Sequence, residues 1–72
     1  MGYNQKTPML IDEVSATEFY IGISNNSSKV SGPTWQIKHI IKVGNIWSFG
    51  YPDGDQDFSY VWNVRLTYNY VQ

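Results

Sequence analysis

Trp35-Gln36-Ile37-Lys38-His39-Ile40-Ile41-Lys42-Val43, followed by Gly44-Asn45 and then Ile46-Trp47-Ser48-Phe49-Gly50-Tyr51, is written as a β-hairpin. The odd positions Trp35, Ile37, His39, Ile41 and Val43 share one face of the first strand, while Gln36, Lys38 and Lys42 share the other with Ile40. Side chains alternate across a strand, so this pattern predicts one dry and one wet face. Gly44-Asn45 is a turn signal, and the loop length it closes sets the register. A two-residue loop puts Trp47, Phe49 and Tyr51 on the lysine face, because a slip of one residue swaps every side chain across the sheet. A three-residue loop of Val43, Gly44 and Asn45, with Asn45 in the left-handed region, instead pairs Ile41 with Trp47 and His39 with Phe49 on the apolar face. The longer loop, or an equivalent bulge, is the expectation.

Downstream, Pro52 to Ser59 opens with Pro-Asp-Gly and reads as a second loop. From Tyr60 to Gln72 the even positions Tyr60, Trp62, Val64, Leu66, Tyr68 and Tyr70 are all apolar, with Asn63, Arg65, Thr67 and Asn69 between them. This predicts the most clearly amphipathic strand of the chain, its even face closing the core through Trp62, Val64 and Leu66. At about 3.3 Å per residue the run would reach about 40 Å, more than so small a domain needs. Its far end, Tyr68, Tyr70 and Val71, is therefore the candidate interface with another chain. Upstream, Ser24 to Pro33 is a Ser- and Asn-rich loop, and Thr17 to Ser24 is a half-buried strand with Phe19, Ile21 and Ile23 on one face. Leu10 to Ala16 fits a short strand or a helical turn. Residues 1–9 read as an N-terminal arm and residues 10–72 as one β domain.

No amphipathic helix of ten residues and no repeat interrupts this succession. The expected architecture is all-β: a small antiparallel β-sandwich or barrel-like sheet of about four to six strands. A chain of 72 residues buries only about 60% of its unfolded surface. It has no cysteine for a disulfide or a thiolate zinc site. Three Trp, six Tyr and three Phe must supply the core, or neighbouring chains must.

The net charge is −1, with five basic and six acidic residues thinly scattered. A duplex-DNA binder clusters Lys and Arg, so nucleic acid is not expected as a partner. Aromatics beside Lys38 and Lys42 suggest a single-strand platform, but Trp47-Ser48-Phe49-Gly50-Tyr51 does not reproduce the Lys-Gly-Phe-Gly-Phe motif of cold-shock domains. No stretch approaches the roughly 20 apolar residues of a membrane helix, and the first residues lack a signal-peptide layout. A soluble protein with no membrane partner is expected.

Asp53, Asp55 and Asp57 alternate as calcium-loop carboxylates do, but counting from Asp53 the EF-hand glycine and glutamate positions hold Phe58 and Val64. A solvated turn whose aspartates accept backbone N–H bonds is the simpler reading, and no metal or cofactor is expected. His39 has no serine or carboxylate beside it in sequence, and it reads as a packed histidine rather than a general base. Trp and Tyr beside Asn and Asp also suit stacking on sugars. Trp47, Tyr51 and Trp62 are then the candidate rings of a glycan-binding module.

Tyr20-Ile21-Gly22, Trp35-Gln36-Ile37-Lys38, Trp47, Asp53-Gly54-Asp55 with Phe58, and Val61-Trp62 with Arg65 ahead of Leu66 and Tyr68 follow one another in a characteristic order. That order resembles short structural-module proteins of tailed bacteriophages over about Phe19 to Tyr70. In those proteins the closing motif runs Val-Trp-Asp-Asn-Arg, where this chain has Val61-Trp62-Asn63-Val64-Arg65; four residues also separate Trp47 from Pro52, where the family pattern turns at once. The resemblance implies a non-enzymatic virion component of the tail, neck or head surface, with no catalytic residues to carry over. Its partners would be other virion proteins and further copies of itself. The alternative is a glycan-binding module of a phage fibre or cell-surface protein.

Overall fold

The computed structural model describes residues 8–24 and 29–72. Six strands form one antiparallel sheet: β1 (Met9–Ser15), β2 (Glu18–Ser24), β3 (Pro33–Val43), β4 (Ile46–Pro52), β5 (Tyr60–Val61) and β6 (Tyr70–Val71). The order is β1-β2-β3-β4-β6, with β5 also paired to β3, and a 3₁₀ segment, Trp62–Thr67, lies between β5 and β6. The all-β expectation holds, with a strand number inside the expected range. Leu10 to Ala16, open between strand and helical turn, is strand as far as Ser15. The arm's residues 1–7 lie outside the described residues; its last two, Pro8 and Met9, lie inside them. Pro8 accepts a hydrogen bond from the Ser24 amide and Met9 begins β1.

The hairpin closes with the shorter loop, not the longer one. Val43 pairs with Ile46, Lys42 with Trp47, Ile40 with Phe49 and His39 with Gly50. Gly44 takes a φ of +64° while Asn45 stays out of the left-handed region, the pattern of a type II′ turn that matches the twist of its strands. The longer loop was expected because aromatics on a wet lysine face are costly. That face is not wet: Phe19, Ile21 and Ile23 of β2 lie on it, and Phe19, Ile40 and Phe49 form one continuous cross-strand row. Ile40 is buried there. Both faces of this sheet are apolar, so neither register could be rejected on hydrophobicity.

The opposite face holds the core. On β2 the buried positions are Tyr20, Gly22 and Ser24 rather than the Phe19 set, and across from them stand His39, Ile37 and Trp35 of β3. Trp35, Ile37 and Tyr20 form the buried cluster with Trp62, with Leu10, Tyr60, Tyr68 and Tyr70 packed against it.

Tyr60 to Gln72 is not one strand. It pairs with β3 for two residues, turns through the 3₁₀ segment, and returns as β6 beside β4. Of the three residues expected to close the core, only Trp62 does so; Val64 and Leu66 are exposed. A period of three lies hidden in the period of two, since Trp62, Arg65 and Tyr68 are three apart and all face the protein. What breaks the strand is Trp62 itself. Its ring lies against Gly22, where a Cβ would overlap its Cε3 and Cζ3 atoms, and its centroid is 6.0 Å from that of Trp35. A strand continuing past Val61 in the plane of the sheet could not place that ring on top of it. The turn is then held by the Asn63 amide donating to the Val30 carbonyl and the Thr67 hydroxyl donating to the Val64 carbonyl.

Gly22→Ala is expected to lower stability by about 1–3 kcal/mol through overpacking, a fall in Tm of roughly 5–20 °C in a domain this size. Thermal unfolding followed by circular dichroism, with tryptophan emission as a second readout, measures it. An unchanged melt and unchanged emission would mean that Trp62 does not occupy the notch.

Candidate functional site

The aspartate turn is spent on its own backbone. Asp53 and Gly54 both sit at positive φ, 53° and 74°, between Pro52 and Asp55, and the Asp55 amide donates to the Pro52 carbonyl at 2.8 Å. This is a type I′ turn. One Asp55 oxygen accepts from the Asp57 amide and the other from the Tyr60 hydroxyl, both at 2.9 Å. Those bonds hold the Asp55 carboxyl below its ordinary range. Among the described residues no group of three acidic, His or Cys side chains is gathered as a metal site would require.

His39 has the carboxylate partner that its sequence neighbours did not supply. The β2–β3 register brings Glu18 to its Nε2 at 2.7 Å, and Gln72 Oε1 lies 2.7 Å from Nδ1. The ring is sandwiched by Tyr20 and Tyr70, at 4.7 and 5.3 Å between centroids. Gln72 reaches in over Gly50, where any Cβ would collide with its amide, and its Nε2 donates to the His39 and Ser48 carbonyls. The arrangement fastens β6 to the hairpin. It leaves neither ring nitrogen available to take a proton from a substrate.

The candidate interface residues divide. Tyr70 donates to the Arg65 carbonyl at 2.7 Å and Tyr68 accepts from the Val61 amide at 2.9 Å, so both hydroxyls serve the chain's own turn. Val71 is exposed. The premise of an overlong strand reaching past the core does not hold, because the segment folds back. The candidate glycan rings divide as well. Trp47 and Tyr51 stand on one face of β4, whereas Trp62 is buried on the other face of the sheet beneath the Arg65 guanidinium, 4.4 Å from its centroid. Arg65 is held there by two bonds to Asp12 Oδ2, at 3.1 and 2.9 Å, which tie β1 to the 3₁₀ segment.

What remains open is the second face of the sheet, the one without the 3₁₀ segment. The β1–β2 half is aliphatic: Met9 and Ile11 are about 60% exposed beside half-buried Ile21 and Ile23. The β4 half is aromatic: Trp47 and Phe49 are 42% and 52% exposed, with Tyr51 next in line. Phe19 lies 5.9 Å from Trp47, and the Lys42 ammonium sits 5.4 Å over the Trp47 ring. Lys38 and Lys42 run down the middle on β3, and Glu13 marks the β1 edge in the row of Phe19, Ile40 and Phe49. No pocket is present among the described residues. Sequence reasoning missed this surface because it assigned the apolar β2 residues to the core. The signal that could have found it is the excess of apolar residues on both faces of β2 and the hairpin.

Comparison with protein-family models, curated proteins and solved structures gives no match to this chain.

The closed face has a titration signature. Burial first, then the hydrogen bond to Asp55, pushes the Tyr60 hydroxyl from 10.0 to about 12. Burial also raises Tyr70 and Tyr20. A phenol whose folded pKa is raised stabilises the fold fully below its unfolded value, and the contribution is lost as pH rises through the folded value. Stability is thus expected to hold up to about pH 10 and to fall from there towards about pH 12. Tyrosinate absorbance read beside circular dichroism checks this. Late-titrating tyrosines should ionise together with loss of ellipticity, and a single step near the ordinary value with the fold intact would contradict it.

Proposed function

We propose that this chain is a non-enzymatic structural subunit of a tailed-bacteriophage particle, a component of the tail, neck or head surface that acts by assembling with other virion proteins. One observation carries the assembly half: a sheet whose closed face is covered by the chain's own final segment presents, on its other face, exposed aliphatic and aromatic side chains on either side of Lys38 and Lys42, with no pocket among the described residues. A small domain normally packs two layers around one core, and none of the described residues supplies a second layer for that face. The phage half rests on the resemblance in motif order. Several of the residues that carry it are core builders: Trp35 and Trp62 meet over Gly22 beside Tyr20, and Arg65 lids the cluster, while Trp47, Phe58 and Leu66 are exposed. A motif of that kind marks a packing scheme rather than a reaction. The only histidine is occupied at both nitrogens, which suits a structural role.

The glycan reading loses one of its three rings, since Trp62 lies on the closed face. Trp47 and Tyr51 alone flank Phe49 on a flat surface.

Mass spectrometry of purified particles of the virus that encodes the chain is expected to find it in many copies per particle, and immunogold labelling to place it on tail, neck or head. Its absence from washed particles would overturn the reading. Binding on a glycan array that disappears with Trp47→Ala would put the alternative in its place.

A further inference from the structure

The register of the hairpin gathers rings and cations on one surface. Lys42 pairs with Trp47 and Ile40 with Phe49, so Trp47, Phe49 and Tyr51 stand on the lysine face of the sheet. The three-residue loop expected from the sequence would have sent those rings to the opposite face, away from Lys38 and Lys42. His39 pairs with Gly50, and the same register sets Lys38 beside Tyr51 as Lys42 stands beside Trp47, one strand over at about 4.8 Å. The aromatic row on β4 is thus flanked by a cation at each end.

The rings are open to stacking. Trp47 and Phe49 are exposed and Tyr51 is half-buried. Among the described residues Trp47 meets the Phe19 ring and the Lys42 ammonium, while Phe49 and Tyr51 meet no other ring. Alternate residues of a strand stand about 6.7 Å apart, twice the roughly 3.4 Å rise of stacked bases. The spacing leaves room for one flat base between each ring and the next. The cations are open too, since the ion pairs of the described residues join His39 to Glu18 and Arg65 to Asp12 and include neither Lys38 nor Lys42. Glu13 stands on β1, three strands from β4. The turn carrying Asp53, Asp55 and Asp57 follows Tyr51 and Pro52, and it bounds the row at that end.

From this juxtaposition we infer that Trp47, Phe49 and Tyr51, with Lys38 and Lys42, form a short platform for single-stranded nucleic acid, bases stacked on the rings and two phosphates on the lysines. An open sheet face that stacks two or three bases on its aromatic side chains is an established way to hold an unpaired strand, and it needs no pocket. A neutral glycan would leave both ammonium groups unanswered. A duplex keeps its bases on one another and asks for more phosphate contacts than two lysines give. The aliphatic β1–β2 half takes no part, and the inference does not depend on the virion reading. With a net charge of −1 there is little long-range attraction, and three stacked bases set a Kd on the order of 10–100 µM at low salt.

Fluorescence anisotropy of a labelled oligo-dT of about ten nucleotides, titrated with the full chain at several salt concentrations, tests it. The logarithm of the binding constant is expected to fall with that of salt at a slope of about −1.4, the value for two phosphates. Trp47→Ala and Phe49→Ala should each weaken binding about 5- to 150-fold. Lys38→Gln with Lys42→Gln should flatten the salt dependence, and Ile11→Ala, on the aliphatic half, should change nothing. Circular dichroism verifies that each variant folds. No binding at about 1 mM chain would overturn the inference. So would binding that survives both ring substitutions, or a duplex or polyglutamate held as tightly as oligo-dT. A neutral oligosaccharide that holds Trp47 and Phe49 more tightly than oligo-dT does would overturn it in favour of the glycan reading.

Discussion

Everything on the closed face depends on one side chain seated in one notch: the Trp62 ring against Gly22 and Trp35. An aromatic of this size buries roughly 200 Å², worth about 5 kcal/mol at the usual 25 cal/mol/Å², as an upper estimate. The net stability of a 72-residue domain is itself about 4–11 kcal/mol. A single ring thus contributes on the scale of the whole. Because the ring must descend onto the sheet rather than lie in its plane, the chain leaves β5, coils, and comes back as β6. Arg65 then covers the ring from outside and binds Asp12, so the final segment of the chain is tied to the first strand. The ion pair is only partly exposed; its role is to fix the geometry.

That return also determines which face is left open. Among the described residues one segment covers the sheet, and it closes the face bearing Gly22, where Trp62 finds room. The Phe19–Ile40–Phe49 row on the reverse is continuous and apolar, yet nothing among the described residues lies over it. A core on one side and an exposed, partly apolar surface on the other is what the proposed assembly role would use. The aliphatic, cationic and aromatic bands give that surface a direction, which a featureless greasy patch would lack.

The hairpin, both central strands and the two glycine turns were legible because they rest on local chemistry: alternation along β2 and β3, and positive φ at Gly44 and Gly54. The candidate site was not. Assigning Phe19, Ile21 and Ile23 to the core was reasonable for one strand alone, but Tyr20, Gly22 and Ser24 hold that place because the largest ring in the chain needs a glycine opposite it. Glu18 and His39, twenty-one residues apart, meet only through the β2–β3 register. Tyr60 to Tyr70 misled for a different reason. Apolar residues at every second position satisfy a strand, but those at 62 and 68, with Arg65 between, also satisfy a turn of three residues.

The residues by themselves determined the class of fold: many short apolar runs between Gly, Pro and Asn turns, no helical period, and enough aromatic bulk to form a core without disulfides. They also determined that the hairpin would turn at Gly44-Asn45. Tertiary structure alone decided the register of that hairpin, the coil in the last segment, and which of two apolar faces becomes the interior. The physical reason is that alternation records only that a residue is apolar, whereas the notch at Gly22 records where a large ring can go. That fit exists only once β2, β3 and the 3₁₀ segment are in place together.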